Sequence, residues 1–322
     1  MSRVMVIDAL NQFLRNYIVD PSLSKNGQPI GGAKGFLKSL QKLTREIKPD
    51  EIVIVWDGAY GSRKRKSINK NYKEGRKPVR LNRNVRNLTE DQELQNKVWQ
   101  QLRVIEYLNE LPVIQLKYDQ VEADDVISFV TQYSKYDGWQ KVIVSADKDF
   151  FQLCDNETVV FRPIQKEIMS TKSIVQKFNI HPTNFALARA IVGDNSDNLV
   201  GVKGVGLPTV AKRLPFLAEG KYYTIDDVIG YCKEAEENIK AYSNIIEQED
   251  LIKENYSIMQ LYAPLLSAIT KRHVQNVLTN FVPEFNKTGL LKLLISDGAA
   301  EYNWNELFVR FRKIIADTKK TG

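Results

Sequence analysis

Three short β-branched runs in this chain, VMVID (4–8), EIVIVWD (51–57) and KVIVSAD (141–147), each end on an aspartate. Runs of this kind, rich in Val and Ile and without polar alternation, read as strands buried on both faces. LPVIQL (111–116) belongs with them, and TVVFRP (158–163) adds a short strand that ends the series. Between them, GFLKSLQKLTREI (35–47) and LQNKVWQQLRVIEYLNE (94–110) carry apolar residues at helical spacing. Strands alternating with helices predict an α/β fold, a mostly parallel central sheet with flanking helices. Such a sheet binds ligands beyond the carboxyl ends of its strands. Asp8, Asp57 and Asp147 are therefore predicted to share one crevice.

More acids collect at that edge. Glu122, Asp124 and Asp125 of QVEADDVISFV stand a few residues after LPVIQL, where an apolar helix begins. Asp149 stands beside Asp147 in SADKD, and GDNSD adds Asp194 and Asp197. A helix cap is the ordinary reading of Asp8 or Asp57 taken alone. It fails for the whole set, because crowded carboxylates repel and must take up protons unless a cation holds them. Hard oxygen donors with no His or Cys nearby predict Mg²⁺ or Mn²⁺. More than four acids predict two ions about 4 Å apart, the arrangement for in-line attack on phosphodiesters. Within VEADD, one acid is expected to cap the helix and the others to hold metal.

The interval SRKRKSINKNYKEGRKPVRLNRNVR (62–86) holds eleven Lys or Arg against a single acid, Glu74. Such a run is ordinarily a solvated surface, ordered on meeting a polyanion. This one leaves the strand ending at Asp57, at the acidic rim, which points to substrate contact. Tyr60 and Tyr72 there are candidates either for stacking on bases or for packing. The whole chain, 322 residues with 46 Lys and Arg against 39 Asp and Glu, agrees with an acidic partner. Two cysteines and two histidines, far apart, exclude a clustered zinc site. With neither a signal peptide nor a membrane span to read, the expectation is a soluble cytoplasmic protein that meets no membrane. From about residue 183 the pattern becomes helices joined by loops, with no internal repeat. No strand precedes GVKGVG, so it is a poor dinucleotide motif. AIVGDNSDNLVGVKGVGLPTVAKRL reads instead as helix, glycine hairpin, helix, with Pro208 in the first turn of the second helix.

Taken together, these residues resemble the structure-specific 5′-nucleases, or flap endonucleases. That family includes phage primer-removing nucleases and the N-terminal nuclease domain of bacterial DNA polymerase I. VIDALNQFLR, VWDG with YKEGR, VEADD, SADKDFFQL and GDNSDNLVGVKGVG resemble its motifs in its order, over residues 3 to 215. The resemblance implies a PIN-like nuclease domain at 1–182 with a basic helical arch at about 60–93. An all-α region at 183–322 would carry a helix-hairpin-helix at about 186–215. It further implies a Mg²⁺-dependent 5′–3′ exonuclease or flap endonuclease, with Mn²⁺ able to substitute. Its substrates would be DNA with a 5′ flap, overhang or nick and RNA–DNA hybrids, cleaved in primer and flap removal by a monomer.

Carried over by motif, Asp8, Asp57, Glu122 and Asp124 would hold the first ion. Asp125, Asp147, Asp149, Asp194 and Asp197 would hold or organise the second, with the division between ions left open. Lys73 and Arg76 match the arch cations that steady the scissile phosphate. Arg15, Arg63, Arg65, Tyr72, Lys203 and the hairpin glycines Gly201, Gly204 and Gly206 would contact DNA, the hairpin often with a monovalent cation. Three residues depart from the pattern: Ala9 and Gln120 where glycine is usual, and Pro208 where many relatives have lysine. The tail WNELFVRFRKII (304–315) reads as a core-packed helix, with a docking peptide for a sliding clamp or single-strand-binding protein as the alternative. A phosphatase with an aspartate nucleophile would need DxD after the first strand, and VIDAL offers one acid. A junction-binding protein without cleavage is the competing reading, although it would ordinarily have lost acids.

Overall fold

The computed structural model describes residues 1–76, 80–81, 88–236 and 239–321, with side chains through residue 317. The expected arch at 60–93 thus lies partly outside the described residues. Six strands form one sheet: β1 (Arg3–Asp8), β2 (Glu51–Trp56), β3 (Ile114–Lys117), β4 (Gln140–Val144), β5 (Thr158–Arg162) and β6 (Glu167–Met169). Their order is β3-β2-β1-β4-β5-β6. Every neighbouring pair is parallel except β5 with β6. The five expected runs are all strands. The three-residue β6, EIM, carries no run of its own and owes its conformation to pairing with β5.

The chain winds outward from β1 to β3, then returns to place β4 on the other side of β1. That reversal is the switch point at which a parallel sheet opens a crevice. Asp8 ends one of its flanking strands, and Ser145 to Asp147 follow the other. α1 (Ala9–Val19), α2 (Gly31–Ile47), α3 (Arg63–Ile68), α4 (Glu90–Asn109) and α5 (Ala123–Thr131) lie among the strands. After β6 come α6 (Thr171–Phe178), α7 (Phe185–Val192), α8 (Leu207–Arg213), α9 (Ile225–Glu234) and α10 (Lys240–Glu247). They are followed by α11 (Glu249–Met259), α12 (Ala268–Asn280), α13 (Lys287–Ser296) and α14 (Asn305–Thr321). Among the described residues no helix is long and apolar enough to cross a membrane.

Successive strand residues point to opposite faces, and each face has its own core. Val4, Val6, Val53, Val55 and Ile143 pack with α5 and with helices from the second half of the chain. Met5, Ile7, Ile52, Ile54, Val142 and Val144 pack with α1, α2, α4, α13 and α14. The later helices therefore complete both cores. Trp304, Leu307, Phe308, Phe311 and Ile314 are buried there, so the core-packed reading of the tail holds. The apolar side chains that would have served a docking peptide are committed to the interior. Truncating the fully buried Phe311 to alanine is expected to cost about 3–5 kcal/mol. Equilibrium denaturant unfolding of Phe311→Ala measures it, and a cost below about 1 kcal/mol would show that this helix is dispensable to the core.

Candidate active site

The acids at the crevice are built in by the helices that follow the strands. Asp8 caps α1: its carboxylate accepts from the Asn11 N–H at 3.1 Å and from the Ser145 hydroxyl at 2.9 Å. Asn11 in turn accepts from the Ala146 N–H at 3.1 Å, tying the ends of β1 and β4 together. The expectation that one of the VEADD acids caps α5 is corrected here. Glu122 sits at the cap position but makes no side-chain cap bond. Asp57, from the neighbouring strand end, accepts from the Ala123 N–H at 2.9 Å instead. Gln120, one of the three departures from the family pattern, adopts φ 61°, a left-handed conformation in which glycine would be unstrained.

The cations of the chain divide the acids into two groups. Arg65 is only 3% exposed. Its Nη1 donates to Glu122 at 2.7 Å and to Asp125 at 2.6 Å, and its Nε to the Ile258 carbonyl at 2.9 Å. Tyr72 is 2% exposed and donates to Glu122 at 3.2 Å. Both were expected on DNA, and both are spent inside the protein. Asp125 is turned the same way, toward Arg65 and the Leu265 N–H at 2.8 Å. Lys73 donates to Glu122 at 2.5 Å, and Arg76 pairs with Asp197. Arg189, on α7, donates to Asp149 at 2.9 Å and pairs with Asp194. The sequence reading missed this arginine, although a lone cation in the apolar helix FALARAIV was its signal.

For the inner acids, burial outweighs the positive charge that reaches them. Burial first, then repulsion from Asp57, pushes Asp8 up to about 7. Burial and Asp147 push Asp149 up to about 7 in spite of Arg189. Burial raises Asp57, Asp124 and Asp147 as well, with Asp147 adding to Asp124 and Asp197 adding to Asp147. Burial also opposes the charge on Glu122 and Asp194. There the chain's own partners win: Lys73 and Arg65 for Glu122, Ser196 and Arg189 for Asp194 hold both below the usual carboxylate range. Asp8, Asp57, Asp124 and Asp147 are thus hard oxygen donors short of positive charge, and a divalent cation fits them chemically. Among the described residues no three acidic, His or Cys side chains are grouped to hold one ion.

Of the other expected contacts, Arg63 and Lys203 are exposed. Arg15 is half-buried, donating to Gln12 at 2.6 Å beside a groove lined by Phe161, Pro163 and Ile164. In the glycine turn between α7 and α8, Gly201 lies so close to the Val192 carbonyl that an added Cβ would stand 1.9 Å from it. Gly204 has φ 73°. Gly206 is the N-cap of α8, with Pro208 in the first turn.

The family described as 5′-3′ exonuclease, N-terminal resolvase-like domain, matches residues 3–179. The chain belongs to the 5′–3′ exonuclease family. It is a nuclease, hydrolysing phosphodiesters. This nuclease is 27% identical over 303 residues to a 5′-3′ exonuclease of Aquifex aeolicus (strain VF5), covering 91% of this chain and 95% of that protein. It is 30% identical over 214 residues to the thermostable DNA polymerase I of Thermus aquaticus, 66% of this chain but 24% of the polymerase. Its fold matches T5 5′-exonuclease with bound zinc at a TM-score of 0.64 and 18% identity, covering 86% of this chain and 98% of that one. A bacteriophage T5 flap endonuclease in a pseudo-enzyme–product complex with DNA and metal ions matches at a TM-score of 0.64 and 16% identity, covering 93% and 100%.

The inner cluster sets a stability prediction. A carboxyl raised from 3.8 to about 7 favours the folded state while protonated, and that contribution is lost as the pH climbs from about 4 to 7. In chelating buffer, Asp8→Asn is therefore expected to be more stable than the native protein at pH 8. The gain should shrink by on the order of 2 kcal/mol at pH 5. Denaturant midpoints at the two pH values measure it, and a pH-independent difference would mean that Asp8 is not held against its charge.

Proposed function

We propose that this chain is a divalent-metal-dependent, structure-specific 5′-nuclease. It acts as exonuclease or flap endonuclease on DNA or RNA–DNA strands with a 5′ flap, overhang or nick, in primer and flap removal. The observation that carries this reading is the split in the acidic cluster. Four inner carboxylates are raised by burial and mutual repulsion beyond what the nearby cations offset, while Lys73 and Arg76 reach the same crevice from the basic segment. Asp8, Asp57, Asp124 and Asp147 would hold the metal, with Glu122, Asp149, Asp194 and Asp197 at its margin. When bound, the ions supply charge neutralisation at the scissile phosphate and acidify the attacking water.

The chain's own residues do the rest. Lys73 and Arg76 bind the non-bridging oxygens of the scissile phosphate, exchanging Glu122 and Asp197 for the substrate. Arg189 keeps Asp149 and Asp194 in register across two loops. Asp125 and Arg65 act one layer out, fixing Glu122 between them. The turn at 201–206, where a monovalent cation is expected, offers backbone N–H groups to duplex phosphates, a contact that reads no bases. Arg63 and Lys203 remain free to add charge along the strand.

The test is incubation with a 5′-labelled duplex carrying a 5′ overhang or flap, in Mg²⁺ and then in EDTA. Cleavage near the junction or from the 5′ end is expected in Mg²⁺ alone, and none from Asp147→Asn. Lys73→Ala should lower kcat by about 10²–10³-fold, as the loss of one charge-stabilising donor does. Tight binding with no cleavage in any metal would favour a junction-binding protein instead.

A further inference from the structure

We propose that Tyr60 is a stacking platform for an unpaired base of the substrate strand, held at the rim of the acidic crevice. The proposal rests on the nuclease reading above and adds a residue that grips the base rather than the phosphate.

Tyr60 is the third residue beyond Asp57, and the residue is 83% exposed. Its backbone is left-handed at φ 57°. An aromatic residue there is an outlier that surrounding structure must enforce. The enforcement is visible on both sides. Gly58 packs on the loop at 118–121 so closely that a Cβ would stand 1.7 Å from the Tyr118 carbonyl. The Gly58 N–H donates to the Val121 carbonyl at 3.0 Å, and the Gln120 N–H to the Ala59 carbonyl at 2.7 Å. Immediately after Tyr60, Gly61 lies against Val121 and Glu122, and the Tyr60 carbonyl accepts from the Arg63 N–H at 3.0 Å. The turn is therefore fixed to the segment that carries Glu122, and its strain serves no buried contact of the ring.

Position decides what the ring is for. Tyr72, the other tyrosine of the basic segment, is 2% exposed and packs internally. Tyr60 is followed by the exposed Arg63 and Lys64 and preceded by Asp57, so one side is charged for phosphate and the other is the cleavage crevice. A strand tracked by such cations presents base faces at the same spacing as its phosphates. An exposed aromatic on a rigid support binds them with little loss of side-chain freedom. The base that stacks there is an unstacked one, since inside a duplex both faces of a base are covered by its neighbours.

The experiment uses the full chain and 5′-overhang duplexes in which an abasic residue is moved stepwise through the single strand and junction. Tyr60→Ala should raise KM by about 5- to 150-fold on the normal substrate, with kcat nearly unchanged. At one abasic position the native enzyme should fall to the level of Tyr60→Ala, and the variant should lose nothing further. Tyr60→Phe should restore the base dependence. Tyr60→Gly, which relieves the backbone, should melt above the native protein and yet bind like Tyr60→Ala. Binding is read separately with 2-aminopurine at that position and Ca²⁺ in place of Mg²⁺, where the native protein should quench and Tyr60→Ala should not. Absence of cleavage with quenching intact would overturn the nuclease reading alone. Equal penalties from Tyr60→Ala at every abasic position, or quenching that survives in Tyr60→Ala, would overturn the stacking role.

Discussion

Like charge crowded at one sheet edge is the constraint on which this structure turns. A parallel arrangement brings the carboxyl ends of β1, β2 and β4 to the same side, so the aspartates that end β1 or follow β2 and β4 have to meet. Helix N-termini gather there too and draw further acids. The chain answers the repulsion only at the margin, with Arg65, Lys73, Arg76 and Arg189. The middle is compensated only in part: Lys73 acts on Asp57 and Asp124 and Arg189 on Asp147, and burial still wins. Such a set of buried acids costs stability on its own and fits the divalent cation proposed for this crevice.

The parts of this that were legible in the sequence share one property: a local pattern carried them. β1, β2 and β4 are continuous apolar runs, and an acid at the end of such a run lands at the crevice whatever the packing. The parts that were not legible depend on partners distant in the chain. Nothing in VEADD reveals that Asp57, 66 positions earlier than Ala123, supplies the cap of α5. Arg65 looks like any member of its basic run, yet its neighbours Lys64 and Lys66 are exposed while it enters the interior to meet Glu122 and the Ile258 carbonyl. A charge run yields an average property, and the average hides the one member whose helical phase points inward.

The same limit applies to Asp125. By sequence it was expected to hold or organise a second ion, beside Glu122 and Asp124 at the first. On α5 it stands one position beyond Asp124, about 100° around the helix, and that rotation separates the roles. Asp124 has no hydrogen-bond or ion-pair partner among the described residues and is raised by Asp147 and Glu122 as well as by burial. Asp125 faces away, accepting from Arg65 and from the Leu265 N–H. It thereby ties the segment after α11 to the helix that bears Glu122. Residues from the second half of the chain thus help to set the geometry of the first half's acids, which is why the change of architecture near residue 183 does not mark a division of labour.

The basic segment is fixed at both ends of its described part, and the two ends differ in kind. Its start is buried: Arg65, Tyr72 and Lys73 converge on Glu122, inside the protein and little screened by salt. Its return, at Arg80 and Leu81, rests on Glu90 and Glu93 in the first turn of α4, where Arg80 is open to solvent. Exposed pairs of this kind contribute little and weaken as ionic strength rises. The departing end is therefore the firm one. It is also the end that carries Lys73 and Arg76, so the two cations proposed for the scissile phosphate are held at the crevice by Glu122 and Asp197.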